Sequence, residues 1–186
     1  MIITLDVPRA TLADLAKVVG KAELVNGRVV RAVPTGYRPG IIATRLLRRL
    51  ADHVDRLGRG EAFGDNVGFA VPELSTGRES FSPDAAYYSG PPPANEMRFV
   101  PGPPDFAAEV RSEGDYGPSA EAALAAKRVE YFEAGTLVVW DVDPVAGVVR
   151  SYHSGEENPT IFVAGGEADA EPAVPGWRLS VDWLMA

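Results

Sequence analysis

From Arg38 to Leu57 the apolar residues Ile41, Ile42, Leu46, Leu47, Leu50, Val54 and Leu57 recur at steps of three and four. That spacing keeps them on one side of a 3.6-residue turn, and Gly58 stands where such a helix would stop, so a long amphipathic helix is expected here. Ahead of it, Thr11 suits an N-cap and predicts a short helix through Val19. AELVNGRVV (22–30) places two apolar runs either side of Asn26-Gly27, a strong hairpin signal. EAFGD (61–65) and VGFAVP (67–72) are expected to form a second hairpin around Asn66. PELSTGRES (72–80) reads as a loop and DAAYY (84–88) as a strand. The prolines of SGPPPANEMRFVPGPP (89–104) oppose both helix and ladder, because each fixes φ and removes a donor.

The second half alternates strand and helix. DFAAEVRS (105–112) reads as a strand, and the Ala-rich run 118–135 as a helix opened by Pro118 and closed by Gly135. TLVVWDVD (136–143) has the continuous apolar character of a buried central strand, with GVVRSYH (147–153) returning as its hairpin partner across PVAG. PGWRLSVDWLMA (175–186) is a last packed segment. The expected class is mixed α/β, or α+β, with an added N-terminal helix and hairpin. No repeat or long linker interrupts it, so residues 1–186 are expected to be one domain, and 46% hydrophobic content supports a real core.

Composition narrows function. With no cysteine there is neither a disulfide framework nor a thiolate metal site, which fits a reducing cytoplasm. The opening MIITLDVPRATLADL lacks the basic and apolar blocks of an export signal, and no apolar run is long enough to span a membrane, so no membrane partner is expected. Eighteen basic against twenty-six acidic side chains leave −8, which opposes non-specific nucleic-acid binding unless basic residues cluster locally. RLLRRLADHVDRLGR (45–59) could form such a cluster, but the solvated face of an amphipathic helix explains it more simply. His53 and His153 are too far apart in the chain to suggest a zinc site, and no Gly-x-Ser-x-Gly elbow or phosphate loop occurs.

The candidate chemistry lies in the acids. Strand alternation sets Phe106, Ala108 and Val110 against Asp105, Ala107, Glu109 and Arg111, so Glu109 is expected to face away from the core. If Asp84 lies on an adjacent strand, the two carboxylates repel unless a cation sits between them, and a hard divalent ion such as Mg²⁺ suits one or two carboxylates plus water. The simpler explanation, two exposed acids at strand ends, stands beside it. On the 118–135 helix, Lys127 shares a flank with Leu124 and Tyr131, and Arg128 aligns with Leu124 and Phe132. Lys127 can snorkel to solvent or direct its ammonium at a water or phosphate near the acids. Arg111 cannot act as a base but could bind phosphate.

AELVNGRVV, SPDAAYY, PPDFAAEVRS and AAKRVEYFEAGTLVVWDVDP, in that order and spanning nearly the whole chain, resemble the Uma-two family of bacterial proteins in the restriction-endonuclease-like PD-(D/E)XK superfamily. The resemblance implies a mixed sheet flanked by helices, with Asp84 as the PD aspartate and Glu109 as the second acid. It also implies the Val110 carbonyl as a further metal ligand, and Glu23 binding metal through water. Arg111 stands where the superfamily motif has lysine, a role that passes to Lys127; Pro39 falls where relatives carry a histidine. The implied activity is Mg²⁺- or Mn²⁺-dependent endonucleolytic hydrolysis of DNA phosphodiester bonds, with Asp84, Glu109 and Lys127 catalytic. The alternative is a catalytically inactive binding or regulatory module that keeps the fold. The apolar 137–143 strand, its hairpin partner and three tryptophans also suggest a homodimer.

Overall fold

The computed structural model describes residues 8–186, so the segment expected to carry no export signal lies partly outside the described residues. In chain order come α1 (Leu12–Leu15), β1 (Ala22–Val25), β2 (Arg28–Arg31), α2 (Tyr37–Leu57), β3 (Glu61–Gly64), β4 (Phe69–Ala70), β5 (Ser80–Phe81) and β6 (Ala85–Tyr88). They are followed by β7 (Val100–Pro101), β8 (Phe106–Val110), α3 (Pro118–Ala134), β9 (Val138–Asp143), β10 (Val148–His153), β11 (Thr160–Phe162), β12 (Glu167–Asp169), β13 (Arg178–Ser180) and α4 (Val181–Met185). Thr11 does cap α1 through Asp14, but the helix stops after one turn. The Asn26-Gly27 turn closes β1 onto β2 with positive φ at both residues, the backbone that fits the twist of a two-residue hairpin.

Six strands form the main sheet in the order β11-β10-β9-β8-β6-β3. Only β8 and β9 are parallel within it, and α3 supplies the crossover that a parallel pair requires. The other neighbours pair antiparallel, so the sheet is mixed, as expected. The expected hairpin around Asn66 does not form. Asn66 does turn with positive φ, but β3 then pairs with β6, while β4 joins β5 and β7 in a separate three-stranded sheet. Local turn chemistry marked the bend, and pairing across 10 to 31 residues chose the partners.

Both faces of the main sheet are covered. Tyr87, Phe106, Ala108, Val110, Trp140 and Val142 pack against Ile42, Leu46, Leu50 and Val54 of α2 and against Trp177 and Leu184. Trp140 stacks on Trp177 with centroids 5.0 Å apart. The opposite face, with Ala86, Tyr88, Ala107 and Val139, packs on Phe69, Phe81 and Tyr131. The expectation that the Ala107–Glu109 side faces a medium other than core is corrected for Ala107, since small alanines there let α3 and the three-stranded sheet close over it as a second core, while the half-buried Glu109 borders a cleft at the edge of that core. All six residues of β9 are buried inside the chain, so the apolar strand that suggested a dimer is already covered by intrachain packing. Among the described residues, no helix is long and apolar enough to cross a membrane.

Candidate active site

Asp84 immediately precedes β6, and its N–H donates to the Ala108 carbonyl at 3.0 Å. Ala86 pairs with Ala107, and strand alternation puts Asp84 and Glu109, two residues outward from each, on the same face of the sheet as that pair, where the charge of Asp84 bears on Glu109. The α3 face of the sheet thus carries both acids where it opens to a cleft of about 1040 Å³, lined among others by Lys21, Glu23, Asp65, Asp84, Glu109 and Lys127.

Both oxygens of Asp84 and Oε1 of Glu109 have defined partners. Asp84 accepts from the Val110 N–H through Oδ2 at 2.8 Å, and its Oδ1 meets Lys21 Nζ at 2.6 Å. Lys21 Nζ also lies 2.7 Å from Asp65 Oδ1. Glu109 Oε1 accepts from the Tyr131 hydroxyl at 2.7 Å and pairs with Lys127 Nζ at 2.8 Å. Lys127 in turn reaches Glu23 Oε1 at 3.0 Å. Glu23 accepts from the Ser82 N–H at 2.9 Å and from Arg78 at 2.5 Å, and Arg78 Nε donates to Glu130 at 2.6 Å. The result is two alternating runs of charge, Asp65–Lys21–Asp84 and Glu109–Lys127–Glu23–Arg78–Glu130, which meet at the two acids.

Three segments build these runs. Lys21 and Glu23 are two residues apart along an extended segment and so share a side. That segment is pinned beside the three-stranded sheet by Leu24 N–H to Ser80 Oγ at 2.8 Å and Glu79 N–H to the Leu24 carbonyl at 2.9 Å. β6 and β8 bring Asp84 and Glu109, and α3 brings Lys127, Glu130 and Tyr131 at helical spacings of three and four.

Electrostatics follow the geometry. Burial pushes the Glu109 carboxyl up, Lys127 opposes this, and the nearby charges of Asp84 and Glu23 add to it. Burial also acts on Glu23, but Lys127, Arg78 and the Ser82 N–H outweigh it and hold that carboxyl down at about 2. For Lys127 the charges of Glu109 and Glu23 overcome burial and raise the ammonium above its usual range. Lys21 is raised as well: burial lowers it, and Asp84 and Glu109 more than compensate. Both lysines therefore stay protonated at neutral pH.

Not every anticipated residue has a free functional group. Arg111 is buried, donates to both oxygens of Asp141 at 2.6 Å and also grips Glu121, so its fork is directed at carboxylates. Both oxygens of Glu23 already accept from cations or an N–H, which makes it the holder of Lys127 and Arg78. Pro39 lines the mouth of the cleft on α2. His53 and His153 hydrogen-bond the Pro175 and Glu171 carbonyls, away from the acids. Arg45 and Arg49 of the basic run lie over the Trp183 ring. Lys21, Asp65, Arg78 and Glu130 went unanticipated. The two-residue step from Lys21 to Glu23 was the one signal that could have found any of them.

Among the described residues, no group of three or more His, Asp or Glu side chains is arranged to hold a metal ion. The two acids still suit a hard divalent ion, which needs only one or two carboxylates and keeps water for its other positions. The chain itself places a cation, the Lys21 ammonium, on the Asp84 oxygen that points away from the ladder. One such ion would find Asp84 and Glu109 as carboxylate donors, with the Val110 carbonyl beside them.

A family model described as “Uma2: Putative restriction endonuclease” matches residues 13–182. In fold the chain is similar to the crystal structure of a putative nuclease belonging to DUF820 from Anabaena variabilis ATCC 29413. The TM-score is 0.74 at 17% sequence identity, over 94% of this chain and 97% of that one. No curated protein matches the chain in sequence.

Proposed function

The chain belongs to the Uma2 family, described as “Putative restriction endonuclease”, and we propose that it hydrolyses DNA phosphodiester bonds in the cleft between the β1–β2 hairpin and α2, into which α3 directs Lys127. The observation that carries this reading is that Asp84, Glu109 and Lys127 line one cleft, with Lys127 at 2.8 Å from Glu109. Asp84 Oδ1, Glu109 and the Val110 carbonyl would hold Mg²⁺ or Mn²⁺. Such an ion polarises a phosphoryl oxygen and acidifies a water.

The rest is the work of the chain. Lys127, kept charged by two carboxylates, cannot serve as the base and instead stabilises charge that develops on the phosphoryl oxygens. Glu23 orients Lys127, and Tyr131 fixes the rotamer of Glu109 from the buried side. Water adds to phosphorus, one P–O ester bond breaks, and the departing oxygen takes up a proton from solvent.

A second reading, a non-catalytic module with the same fold, draws support from Lys21, whose ammonium covers the Asp84 oxygen a metal would need, and from Pro39 at the cleft mouth. Plasmid cleavage with Mg²⁺ and Mn²⁺ separates the two. The nuclease reading expects nicking by the wild type that is lost in Asp84→Asn, Glu109→Gln and Lys127→Met; no cleavage by the wild type at any divalent-ion concentration, with intact fold, favours the module.

A further inference from the structure

We infer that Lys21 is a built-in competitor for the divalent ion: its ammonium occupies the cation position on Asp84, must be displaced for metal to bind, and retreats to Asp65 when it is. This rests on the metal-binding reading of the Asp84–Glu109 pair. The two lysines of the cleft differ in a way that singles out Lys21. Lys127 is held by Glu23 and Glu109, and the partners of Glu109 among the described residues, Lys127 and Tyr131, both meet Oε1. Oε2 of Glu109 is left for another cation.

On Asp84, Oδ2 is occupied by the Val110 N–H, and Oδ1 carries Lys21 at 2.6 Å. An ion bridging the two acids therefore conflicts with Lys21 and leaves the Lys127 contacts in place.

Asp65 makes displacement feasible. Its Oδ1 already lies 2.7 Å from Lys21 Nζ, and its side chain is more than half exposed at 59%, against 20% for Asp84. When the ammonium leaves Asp84 it keeps one carboxylate and gains water, so its charge is never stranded. A cation that must be expelled raises the metal concentration needed for occupancy, because a site's apparent affinity falls by the fraction of molecules in which it is free. The cleft thus responds to divalent-ion supply over a higher range than two bare carboxylates would. Without metal, the same ammonium relieves the repulsion between Asp84 and Glu109.

Calorimetric titration with MnCl₂ and thermal melts in EDTA and in Mn²⁺ test this on the whole protein. Lys21→Met, which keeps the aliphatic stem, is expected to bind Mn²⁺ at least about tenfold tighter than wild type, to melt lower in EDTA, and to show a larger Mn²⁺-induced rise. Asp65→Asn removes the retreat and leaves Lys21 to Asp84 alone, so Mn²⁺ affinity is expected to fall severalfold. This second variant decides the matter if Lys21→Met is too unstable to titrate. Unchanged or weaker Mn²⁺ binding by Lys21→Met, or unchanged binding by Asp65→Asn, overturns the competition while Asp84→Asn still abolishes binding. If Asp84→Asn binds Mn²⁺ as wild type does, the metal site itself is refuted and the competition with it.

Discussion

Glu23 and Glu109 share one cation: Lys127 Nζ lies 3.0 Å from the first and 2.8 Å from the second, yet burial and charge move the two carboxyls in opposite directions. Glu23 has Arg78 and an N–H besides, whereas Glu109 has Asp84 across the ladder. One acid is held firmly as an anion and the other takes up a proton more readily.

Glu23 carries a pH signature of stability. Its folded pKa of about 2 lies below the ordinary value near 4.5, so its contribution is present above the unfolded pKa and is lost as pH falls from about 4.5 to about 2. The shift corresponds to roughly 3 kcal/mol. Glu23→Gln is expected to lose about that much at pH 7 in urea unfolding and to flatten the acid limb of the stability profile; a wild-type acid limb in Glu23→Gln counts against the assignment.

Glu109 has the reverse sign. Its raised pKa favours the folded state while the group is protonated, an advantage lost as pH rises through the folded pKa, and metal binding must expel that proton. Mn²⁺ affinity is therefore expected to decline with falling pH above the ordinary carboxylate range. Titrations at several pH values between about 5 and 8 measure this, with one proton released per ion near the folded pKa.

Arg111 tests structure against phosphate binding. Its buried fork on Asp141 predicts that Arg111→Ala destabilises the metal-free, DNA-free protein by about 3–5 kcal/mol, because Asp141 is left buried. Chemical denaturation in EDTA checks it. A stable variant that has lost only DNA affinity would restore the phosphate role.

Tyr131 orients Glu109 through a 2.7 Å bond while its ring stacks on Phe81 with centroids 4.1 Å apart. Tyr131→Phe keeps the stack and removes the bond, so a stability loss of only about 1 kcal/mol is expected. Cleavage should slow through kcat more than through KM, since substrate is not touched; an unchanged kcat would show that Lys127 alone positions the carboxylate.

Lys127→Met leaves two inward acids without their shared cation. It is expected to lower the melting temperature in EDTA, to recover part of the loss with Mn²⁺, and to abolish cleavage while retaining metal affinity. Loss of Mn²⁺ binding in a folded Lys127→Met protein would mean that the ammonium, rather than the acids, organises the site.

The sequence by itself determined the local units. The three-and-four spacing from Ile41 to Leu57 settled α2, Asn26-Gly27 settled the first hairpin, and the strand, alanine-rich helix and apolar strand of the second half appear as β8, α3 and β9. Alternation alone left Asp84 and Glu109 as either a pair or two exposed acids, and it was the family resemblance that joined them into one site. Only the tertiary structure decided that β3 leaves β4 for β6, that both faces of the sheet are core, and that Lys21, Asp65, Arg78 and Glu130 join the acids. Periodicity and turn chemistry are written within a few residues. The partners of a buried charge lie as far as 104 positions away, as for Glu23 and Lys127, and are chosen by the need to pair every ion that packing removes from water.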